Sequence, residues 1–485
     1  MTPLSAYEKV IGLETHVELR TSQKAFCACE NRFGAVPNTL CCPLCSGEPN
    51  ERPRFNPEAL RLSVLAGLVL HCQIQEESRF DRKHYLSPDL PKGYQCTQFF
   101  QPLCLNGYLD VDTASGKKRI HIARIHMEED SGRLFHSPSG ETLVDLNRAG
   151  VPLIEIVTEP DIRTGEEAAA YLRALRTALC FAGISDCKMS EGSLRCDVNI
   201  SLRKPGNPLG ERTEIKNLGS FRDVERAIEA EYVRQAAMLD AGQPITRDTR
   251  RFDEKTGQTH FSRPKESVAD YRYVPDPDLP PVLLSRAEIR ALGQALPKTS
   301  EMWQQAFLEE YGLSPYAASQ LAAAPWLAEY FEKAAKAAKH PHAAANLLLG
   351  EAFALLSLRD SRPALEKDFT CLPVSPAHLA ALSDMGAEGR INSSATKEIL
   401  AALFLRDEDP EAYAGQHDLW VIRDEARLQR AAQKAVTESP AIVSAYRAGK
   451  TNALTALMGK AMEETKGLAD PKRLRNILLS ELKAE

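Results

Sequence analysis

A run of eight residues at positions 274–281, Val-Pro-Asp-Pro-Asp-Leu-Pro-Pro, restricts the fold of this chain more than any other segment. Proline lacks an amide hydrogen and biases the residue before it away from the helical region, so the run can hold neither a helix nor a central strand. Before it, stretches in which polar and apolar residues alternate are separated by glycine, proline and asparagine. This pattern predicts strands with some helices. After it, alanine and leucine recur at helical spacing. We therefore expect a domain boundary here.

The two parts on either side of this run predict an α+β organisation. Within the first part, residues 166–183 and 221–242 are apolar at helical spacing and each ends in glycine, which predicts two helices among the strands. The second part predicts two helical units separated by a break near residues 360–376. The expected domains are a sheet-containing domain over residues 1–284, a helical domain over 285–365 and a helical tail domain over 366–485.

Length, cysteine content and charge limit the class of protein. A chain of 485 residues can form several domains with hydrophobic cores of their own. Its twelve cysteines come without a secretory leader or an apolar stretch of membrane-spanning length, so we expect a cytoplasmic protein with reduced thiols and no membrane contact. The net charge of −6 argues against nonspecific coating of nucleic acid, so any RNA must bind a local basic patch.

Several predicted strands carry polar, potentially metal-binding residues on one face. Successive side chains of a strand point to opposite sides, so residues two apart share a face. Residues 125–130 add three consecutive acids at the end of another predicted strand. The residues that share faces are Glu14, His16 and Glu18 in residues 11–19, Asp197, Asn199 and Ser201 in residues 195–203, and Glu214 and Lys216 in residues 213–217.

These faces have two interpretations. One face of an antiparallel sheet often meets water, which accounts for the alternation in any single strand. Solvated faces usually mix lysine, threonine, glutamine and serine, whereas these faces concentrate acids, asparagine and histidine. Carboxylate oxygens are the ligands that Mg²⁺ prefers when it also holds a substrate phosphate. The pattern alone leaves a solvated sheet and a metal–nucleotide site both open.

Four cysteines in the loop over residues 26–46 have the spacing of a structural zinc site. Cys27 and Cys29 form a CxC pair, and Cys42 and Cys45 form a CxxC pair 13 residues further on. The neighbouring Cys41 leaves the choice of ligands open. The alternative is an accidental grouping in a cysteine-rich chain. A closed site of this kind is expected to fix the loop and not to catalyse a reaction.

Blocks along essentially the whole chain resemble the B subunits of the glutamyl/aspartyl-tRNA amidotransferases, in the same order. Residues 445–482 resemble the helical tail of the same proteins, a module also found as a separate protein. The blocks are VIGLETHVEL (10–19), FDRKHYLSPDLPKGYQ (80–95), RIHMEEDSG (124–132), VDLNRAGVPLIEIVTEPDI (144–162), MSEGSLRCDVNISLR (189–203), EIKNLGSF (214–221) and KESVADYRYVPDPDLP (265–280).

The resemblance implies a fold and an activity. The first domain is expected to be a cradle similar to the catalytic domain of glutamine synthetase, built on an antiparallel sheet. ATP, with Mg²⁺, would phosphorylate the side-chain carboxylate of Glu-tRNA(Gln) or Asp-tRNA(Asn), and ammonia would displace the phosphate. The implied partners are an amidase, which supplies the ammonia as the A subunit of a heterotrimer, and a small C subunit. The activity is that of an ATP-dependent carbon–nitrogen ligase.

The resemblance also assigns site residues by position in these blocks. The implied Mg²⁺ ligands are Glu14, His16, Glu129 and Glu214. The implied ATP contacts are Glu191, Asp197, Asn199 and Lys216. Lys83 and Lys92 are implied to act near the acyl phosphate or the mouth of an ammonia channel, with ordinary solvated lysines as the alternative.

The chain departs from the family pattern at a few positions. His84, Leu86 and Ser87 stand in a block that usually has the sequence DRKNYFYPD. Gly219 stands where the family usually has asparagine, and Cys96 occupies a usually hydrophobic position. These differences leave the side-chain details of the loops open, but they remove none of the implied metal ligands.

The tail has a local excess of positive charge. Residues 441–485 contain eight lysines and arginines against five acids, which predicts contact with the phosphate backbone of tRNA. An ordinary solvated helix surface is the alternative. Two other functions compete with the amidotransferase: a non-enzymatic RNA-binding scaffold, and an ATP-dependent ammonia ligase for a free acid.

Overall fold

The computed structural model describes residues 6–137, 139–264, 268–359 and 371–483. The chain divides into two compact units, Met1–Ser300 and Glu301–Glu485. The boundary expected after residue 365 lies outside the described residues, and the division into three domains stays a prediction.

The first unit contains the strands and is built around one large sheet. Its described strands are β1 (Glu8–Glu18), β2 (Gln73–Ile74), β3 (Glu77–Ser78), β4 (Asp81–His84), β5 (Tyr94–Thr97), β6 (Cys104–Thr113), β7 (Gly116–Glu129), β8 (Arg133–His136), β9 (Thr142–Asp145), β10 (Pro152–Thr158), β11 (Leu194–Arg203), β12 (Thr213–Lys216), β13 (Asp248–Asp253), β14 (Gln258–Pro264), β15 (Val274–Pro275) and β16 (Val282–Leu283).

Twelve of the described strands form the large sheet, in the order β14-β13-β12-β11-β1-β10-β7-β5-β4-β15, with β6 and β2 branching from β7. Its pairs are antiparallel except β12 with β13, which run parallel, so the expected antiparallel sheet is in fact mixed. The α+β class is confirmed, whereas similarity to glutamine synthetase stays an expectation. The proline-rich run contributes only the two-residue edge strand β15, because proline cannot donate to a ladder.

Helices cover one face of this sheet. They are α1 (Pro57–Val69), α2 (Gly165–Phe181) and α3 (Phe221–Asp240). The helix α4 (Arg286–Gln294) packs against α1, and a 3₁₀ helix spans Val268–Tyr271. The two helices predicted from the sequence are confirmed as α2 and α3. Each begins at a hydroxyl residue whose side chain accepts a hydrogen bond from the first turn, Thr164 from the amide of Glu167 and Ser220 from that of Asp223. Such caps each contribute about 1 kcal/mol to stability.

The core of the first unit lies between these helices and the sheet. Leu13 and Val17 of β1 and Val198 of β11 are fully buried, as are Leu172 and Leu175 of α2. Because alternate side chains of a strand leave on opposite faces, burying these residues against the helices turns the intervening polar residues of β1 and β11 to the other face. The candidate site lies on that face.

The regular elements among the described residues of the second unit are helices, with a short π-helical segment over Leu348–Ala352. Its helices are α5 (Ser300–Tyr311), α6 (Pro315–Leu321), α7 (Pro325–Ala337), α8 (Pro341–Leu347), α9 (Phe353–Arg359), α10 (Pro376–Ala387), α11 (Ser393–Leu405), α12 (Pro410–Gln416), α13 (Glu425–Thr437), α14 (Pro440–Arg447), α15 (Asn452–Glu464) and α16 (Pro471–Glu481).

The last helices of this unit have a core of their own. Leu428 of α13, Leu457 of α15, and Leu474 and Leu478 of α16 are fully buried together. A bridge between Ile422 and Ala469 joins the segments before α13 and α16. Residues 441–483 are therefore packed against α13 and do not form a separate appendage.

One helical run in the described residues, Pro341–Leu358, is long and apolar enough to cross a membrane by length and composition. The sequence pattern alone predicts no stretch of this kind. Ala344, Leu348 and Ala352 of this run are fully buried inside the second unit, and α7 and α10 pack against α8. Core helices of water-soluble proteins meet the same criterion of length and composition.

Candidate active site and cysteine loop

The register of four neighbouring strands assembles the polar face of the sheet. His16 on β1 lies opposite Glu155 on β10, which in turn lies opposite His126 on β7. On the other side of β1, Glu14 lies opposite Asp197 on β11. Since residues two apart on a strand are separated by about 7 Å, two groups of ligating side chains lie side by side on this face.

The first group consists of His16, Glu128 and Glu155, with ligating atoms that all lie within 4.8 Å of one another. The Nε2 atom of His16 is 3.8 Å from a carboxylate oxygen of Glu128 and 3.9 Å from one of Glu155, too far for hydrogen bonds. A cation about 2.1 Å from each ligand would span such gaps. The side chain of Glu128 is only 4% exposed, which makes an uncompensated charge there costly.

His126 holds the two carboxylates of this group in place. Its Nε2 atom lies 3.1 Å from Glu155 and 3.2 Å from Glu128. Burial lowers the pKa of His126, but the two carboxylates outweigh it and raise that pKa to about 9. Burial likewise raises the pKa of Glu155, yet His126, His16 and Lys83 hold it well below the ordinary value. The carboxylates are thus ionised and available to a metal ion.

The second group consists of Glu14, Asp197 and Glu214, whose oxygens also lie within 4.8 Å of one another. Lys216 donates to Asp197 and lies 3.4 Å from Glu214. Although burial lowers the pKa of the Lys216 ammonium, Asp197 raises it above its ordinary value. The ammonium of Lys216 therefore already offsets part of the negative charge of this group. A metal ion could take its place among the carboxylates, and the lysine would then turn toward a phosphate of the ligand.

Asn199 and Thr249 orient the second group. The side-chain amide of Asn199 donates to Glu14 at 2.9 Å, and the hydroxyl of Thr249 donates to Glu214 at 2.7 Å. Asn199 and Glu214 lie opposite each other on β11 and β12. Four adjacent strands, β1, β11, β12 and β13, therefore fix the directions of the carboxylates before any ligand binds.

Lys83 borders the first group from the edge of the sheet. Its ammonium lies 4.7 Å from the centre of the Tyr271 ring, and its charge contributes to lowering the pKa of both Glu128 and Glu155. Tyr271 contacts Tyr273, which stacks on Phe99 with ring centres 4.0 Å apart. Aromatic side chains thus form the boundary of the site at β4 and β15.

The cysteine loop lies elsewhere in the same unit and has the dimensions of a zinc centre. The Sγ atom of Cys45 is 3.7 Å from that of Cys27 and 3.8 Å from that of Cys42. Sulfur ligands about 2.3 Å from a tetrahedral zinc ion are about 3.8 Å apart. Cys29 completes the group, whereas the thiol of Cys41 donates to the carbonyl of Asn38.

The protonation of these thiols also suits a metal. The hydrogen bond between Cys27 and Cys45 raises the pKa of Cys27 and lowers that of Cys45 to about 4. Burial raises the pKa of the Cys29 thiol to about 11. Four ionised thiolates at this spacing require a cation.

Comparison with known proteins gives the family. Residues 9–290 match the GatB/GatE catalytic domain, and residues 329–482 match the GatB domain. The chain is 43% identical over 478 residues to the B subunit of the aspartyl/glutamyl-tRNA(Asn/Gln) amidotransferase of Caldicellulosiruptor saccharolyticus, an alignment that covers 98% of this chain and 99% of the relative. The chain belongs to this family of amidotransferase B subunits. The B subunit of Oleidesulfovibrio alaskensis is 43% identical over 481 residues, covering 99% of this chain and all of the relative.

Both ligand groups and the cysteine loop fall within the part that matches the GatB/GatE catalytic domain. The B subunit of Carboxydothermus hydrogenoformans is 42% identical over 481 residues, covering 98% of this chain and 99% of the relative. The likeness therefore extends through the helical unit as well.

The structure does not bring all the implied Mg²⁺ ligands of the amidotransferase B subunits together. Glu14 and Glu214 belong to the second group and His16 to the first. Glu129 belongs to neither, because it follows Glu128 on β7 and points to the opposite face. There it accepts hydrogen bonds from Lys92 and from the amide of Cys96.

The sequence reasoning missed Glu128 and Glu155 as partners of His16. The sequence contains a signal for each of these two residues. Glu128 is two residues after His126 in the block RIHMEEDSG, so those two side chains share a face. Glu155 is the charged residue within the otherwise uncharged strand β10, and a lone acid in a buried strand indicates a specific partner.

The remaining implied residues are dispersed. Lys92 is not a solvated lysine, since its side chain is only 10% exposed and pairs with Glu129 beside the cysteine loop. Glu191 lies in the turn before β11, where it accepts a hydrogen bond from Lys188 at 3.2 Å. Of the implied ATP contacts, Asp197, Asn199 and Lys216 are thus brought together with the acids, and Glu191 has a different described partner.

Proposed function

We propose that this chain is the ATP-using, tRNA-handling component of a cytoplasmic, glutamine-dependent amidotransferase. It would work in a heterotrimer with an amidase as the A subunit and a small C subunit, on Glu-tRNA(Gln), Asp-tRNA(Asn) or both. The observation that carries the proposal is the row of side chains across one sheet face, in which Lys216 and Lys83 flank two groups of acids.

The proposed reaction has two steps. The side-chain carboxylate of the aminoacyl-tRNA attacks the γ-phosphorus of ATP, which forms a C–O–P bond and releases ADP. Ammonia then attacks the carbonyl carbon of this acyl phosphate, loses a proton and expels inorganic phosphate, which leaves the amide. A carboxylate is inert to ammonia until its oxygen becomes a leaving group, so phosphorylation is the step that this chain must promote.

The arrangement of acids supports a phosphoryl-transfer site. We assign His16, Glu128 and Glu155 as one metal site, and Glu14, Asp197 and Glu214 as a second. Bound Mg²⁺ neutralises charge on a transferring phosphoryl group. A donor set of one imidazole and two carboxylates also accepts Mn²⁺, so the first site need not be restricted to Mg²⁺. Glu129 is assigned to Lys92 and not to a metal ion.

The lysines on either side of the acids take different roles in this proposal. Lys216, displaced from Asp197 when a metal ion binds there, would donate to a phosphate of ATP on the β11–β12 side, together with Asn199. Lys83, beside Glu128 and Glu155, would offset the negative charge of the substrate carboxylate and of the acyl phosphate formed from it. Lys92, buried with Glu129, would not contact the substrate. It would hold the neighbouring cysteine loop in position. Glu191, in the turn before β11, is kept as a candidate nucleotide contact.

The cysteine loop supports a structural role. Zinc bound by Cys27, Cys29, Cys42 and Cys45 would order the loop between its two cysteine pairs. A small pocket lies between this loop and the Lys92–Glu129 pair, so the loop covers that pair. The metal would thus fix the surroundings of Lys92 without touching substrate.

The proposal is tested with the complex reconstituted from this chain and its amidase and small partners. Glu-tRNA(Gln) and Asp-tRNA(Asn) are supplied separately, and ADP and the amidated product are measured. We expect ATP cleavage that depends on at least one aminoacyl-tRNA. Binding of tRNA without ATP cleavage would support the scaffold function instead. Cleavage with free glutamate as efficient as with Glu-tRNA(Gln) would support the ligase for a free acid.

A further inference from the structure

A lysine without exposure to solvent lies beside the cysteine group. Lys24 is fully buried, and its ammonium lies 3.3 Å from the Sγ atom of Cys45 and 3.2 Å from the carbonyl oxygen of Leu146, to which it donates. Among the described ion pairs, none joins Lys24 to an aspartate or glutamate. Of the two side-chain contacts described for its ammonium, the one that can carry a negative charge is therefore the sulfur of Cys45.

A buried ammonium needs a negative partner, because moving an isolated charge out of water costs several kcal/mol or more. The cysteine group supplies that partner when it holds a metal. A zinc ion with four thiolates carries an excess of two negative charges, which a nearby cation offsets. Outer groups that donate to a ligand atom also fix its direction and tune the affinity of the metal.

The backbone ties Lys24 to the same loop. Its amide donates to the carbonyl of Cys29 at 3.0 Å, and its own carbonyl accepts a hydrogen bond from the side chain of Asn56 at 3.2 Å. The next residue, Ala25, donates from its amide to Gly150 at 2.8 Å. The ammonium is therefore held near Cys45 by contacts on both sides of the residue, and not by the flexible reach of a surface side chain.

We propose that Lys24 is the charge-compensating outer partner of the metal centre formed by Cys27, Cys29, Cys42 and Cys45, and that it increases the affinity of this centre for zinc by donating to the Cys45 thiolate. The inference rests on the proposed zinc site. Lys24 binds no metal itself and touches no substrate, so it is a positioning residue.

The experiment compares purified full-length wild type with Lys24→Met, Lys24→Gln and Lys24→Arg. Zinc affinity is measured by competition with a chromophoric chelator, and folding is monitored by thermal unfolding. Met keeps the length of the apolar stem but removes the charge. Gln also removes the charge but retains a donor for the Leu146 carbonyl. The Gln variant therefore replaces the Met variant in the affinity measurement if the Met variant fails to fold. Lys204→Gln, at an exposed position, is the control.

We expect Lys24→Gln and Lys24→Met to weaken zinc binding by roughly 10- to 100-fold, the range measured for outer-sphere partners of metal ligands. Lys24→Arg should lose less zinc affinity than either of these variants. The zinc affinity of Lys204→Gln should equal that of wild type. Zinc affinity in folded Lys24→Gln within about twofold of wild type would overturn the role of Lys24. Wild type that binds no zinc at all would instead refute the zinc site on which the inference rests.

Discussion

Glu128 and Glu129 are adjacent on β7, yet their carboxylates lie on opposite faces of the sheet and have different partners. Glu128 lies with His16, His126 and Glu155, whereas Glu129 pairs with Lys92. The alternation of side chains along a strand makes this separation unavoidable. Neighbouring acids in one sequence block therefore have different partners, and they offer a matched pair of variants.

We predict that Glu128→Gln lowers aminoacyl-tRNA-dependent ATP cleavage by about 100-fold or more. The substitution removes a buried carboxylate from the proposed metal site, where neutralisation of phosphoryl charge contributes several kcal/mol. Glu129→Gln should retain metal binding, measured by Mn²⁺ titration, because its carboxylate lies on the other face. Mn²⁺ affinity lost in Glu129→Gln and kept in Glu128→Gln would reverse the assignment.

We predict that Cys27→Ser abolishes zinc binding, with the metal content falling from about one ion per chain to near zero. Cys41→Ser is the matched control, since Cys41 lies in the same loop but donates to Asn38 and not to the sulfur group. Elemental analysis of both variants gives the answer. A full zinc complement in Cys27→Ser, or its loss in Cys41→Ser, would contradict the proposed ligand set.

The tail is best tested by substitution and not by deletion. Removing residues from 441 onward would strip α15 and α16 from Leu428 and the other buried residues of α13. We predict that replacing exposed Lys450, Lys472 and Arg475 together with alanine weakens tRNA binding and leaves the helical unit folded. Each lost phosphate contact should reduce the slope of log affinity against log salt by about 0.7–0.9.

The salt dependence of tRNA binding distinguishes the loss of direct phosphate contacts from a general loss of positive charge. Lys255→Ala, at an exposed turn in the first unit, is the control for a general loss of positive charge. Filter-binding affinities for tRNA at two salt concentrations suffice. An unchanged slope in the triple variant would show that these tail residues do not contact phosphates.

We predict a pH-dependent gain in stability from Glu18→Gln. Burial, followed by the charge of Asp130, raises the pKa of Glu18 to about 8 in the folded protein from an ordinary value of 4.5. The folded state thus holds a proton that the unfolded state releases, and the resulting stability is present below about pH 4.5 and lost as pH rises to about 8.

Glutamine cannot ionise, so the free energy of unfolding of the variant should rise relative to that of wild type as the pH increases across this range. Above pH 8 the relative gain should be on the order of 2 kcal/mol. Urea unfolding of the two proteins at pH 5 and pH 8.5 measures the difference. Equal differences at both pH values would mean that Glu18 is ionised in the folded protein throughout.

Local pattern was enough to predict several features of this protein. The apolar spacing and glycine stops of α2 and α3 gave their extents within a few residues, since an amphipathic helix buries one face in any such fold. The alternation in residues 11–19 placed Glu14 and His16 on one face for the same kind of reason. The spacing of Cys27, Cys29, Cys42 and Cys45 selected four residues that the fold brings together.

What tertiary structure alone decided was which strands are neighbours. Glu155 faces His16 because β10 pairs with β1, and Asp197 faces Glu14 because β11 pairs with β1 on the other side. Strand order depends on the packing of helices and loops far apart in sequence, and alternation within one strand carries no information about it. For that reason the sequence by itself determined which residues could be ligands, whereas the fold determined their grouping, separated Glu129 from His16 and enclosed Lys24 beside Cys45.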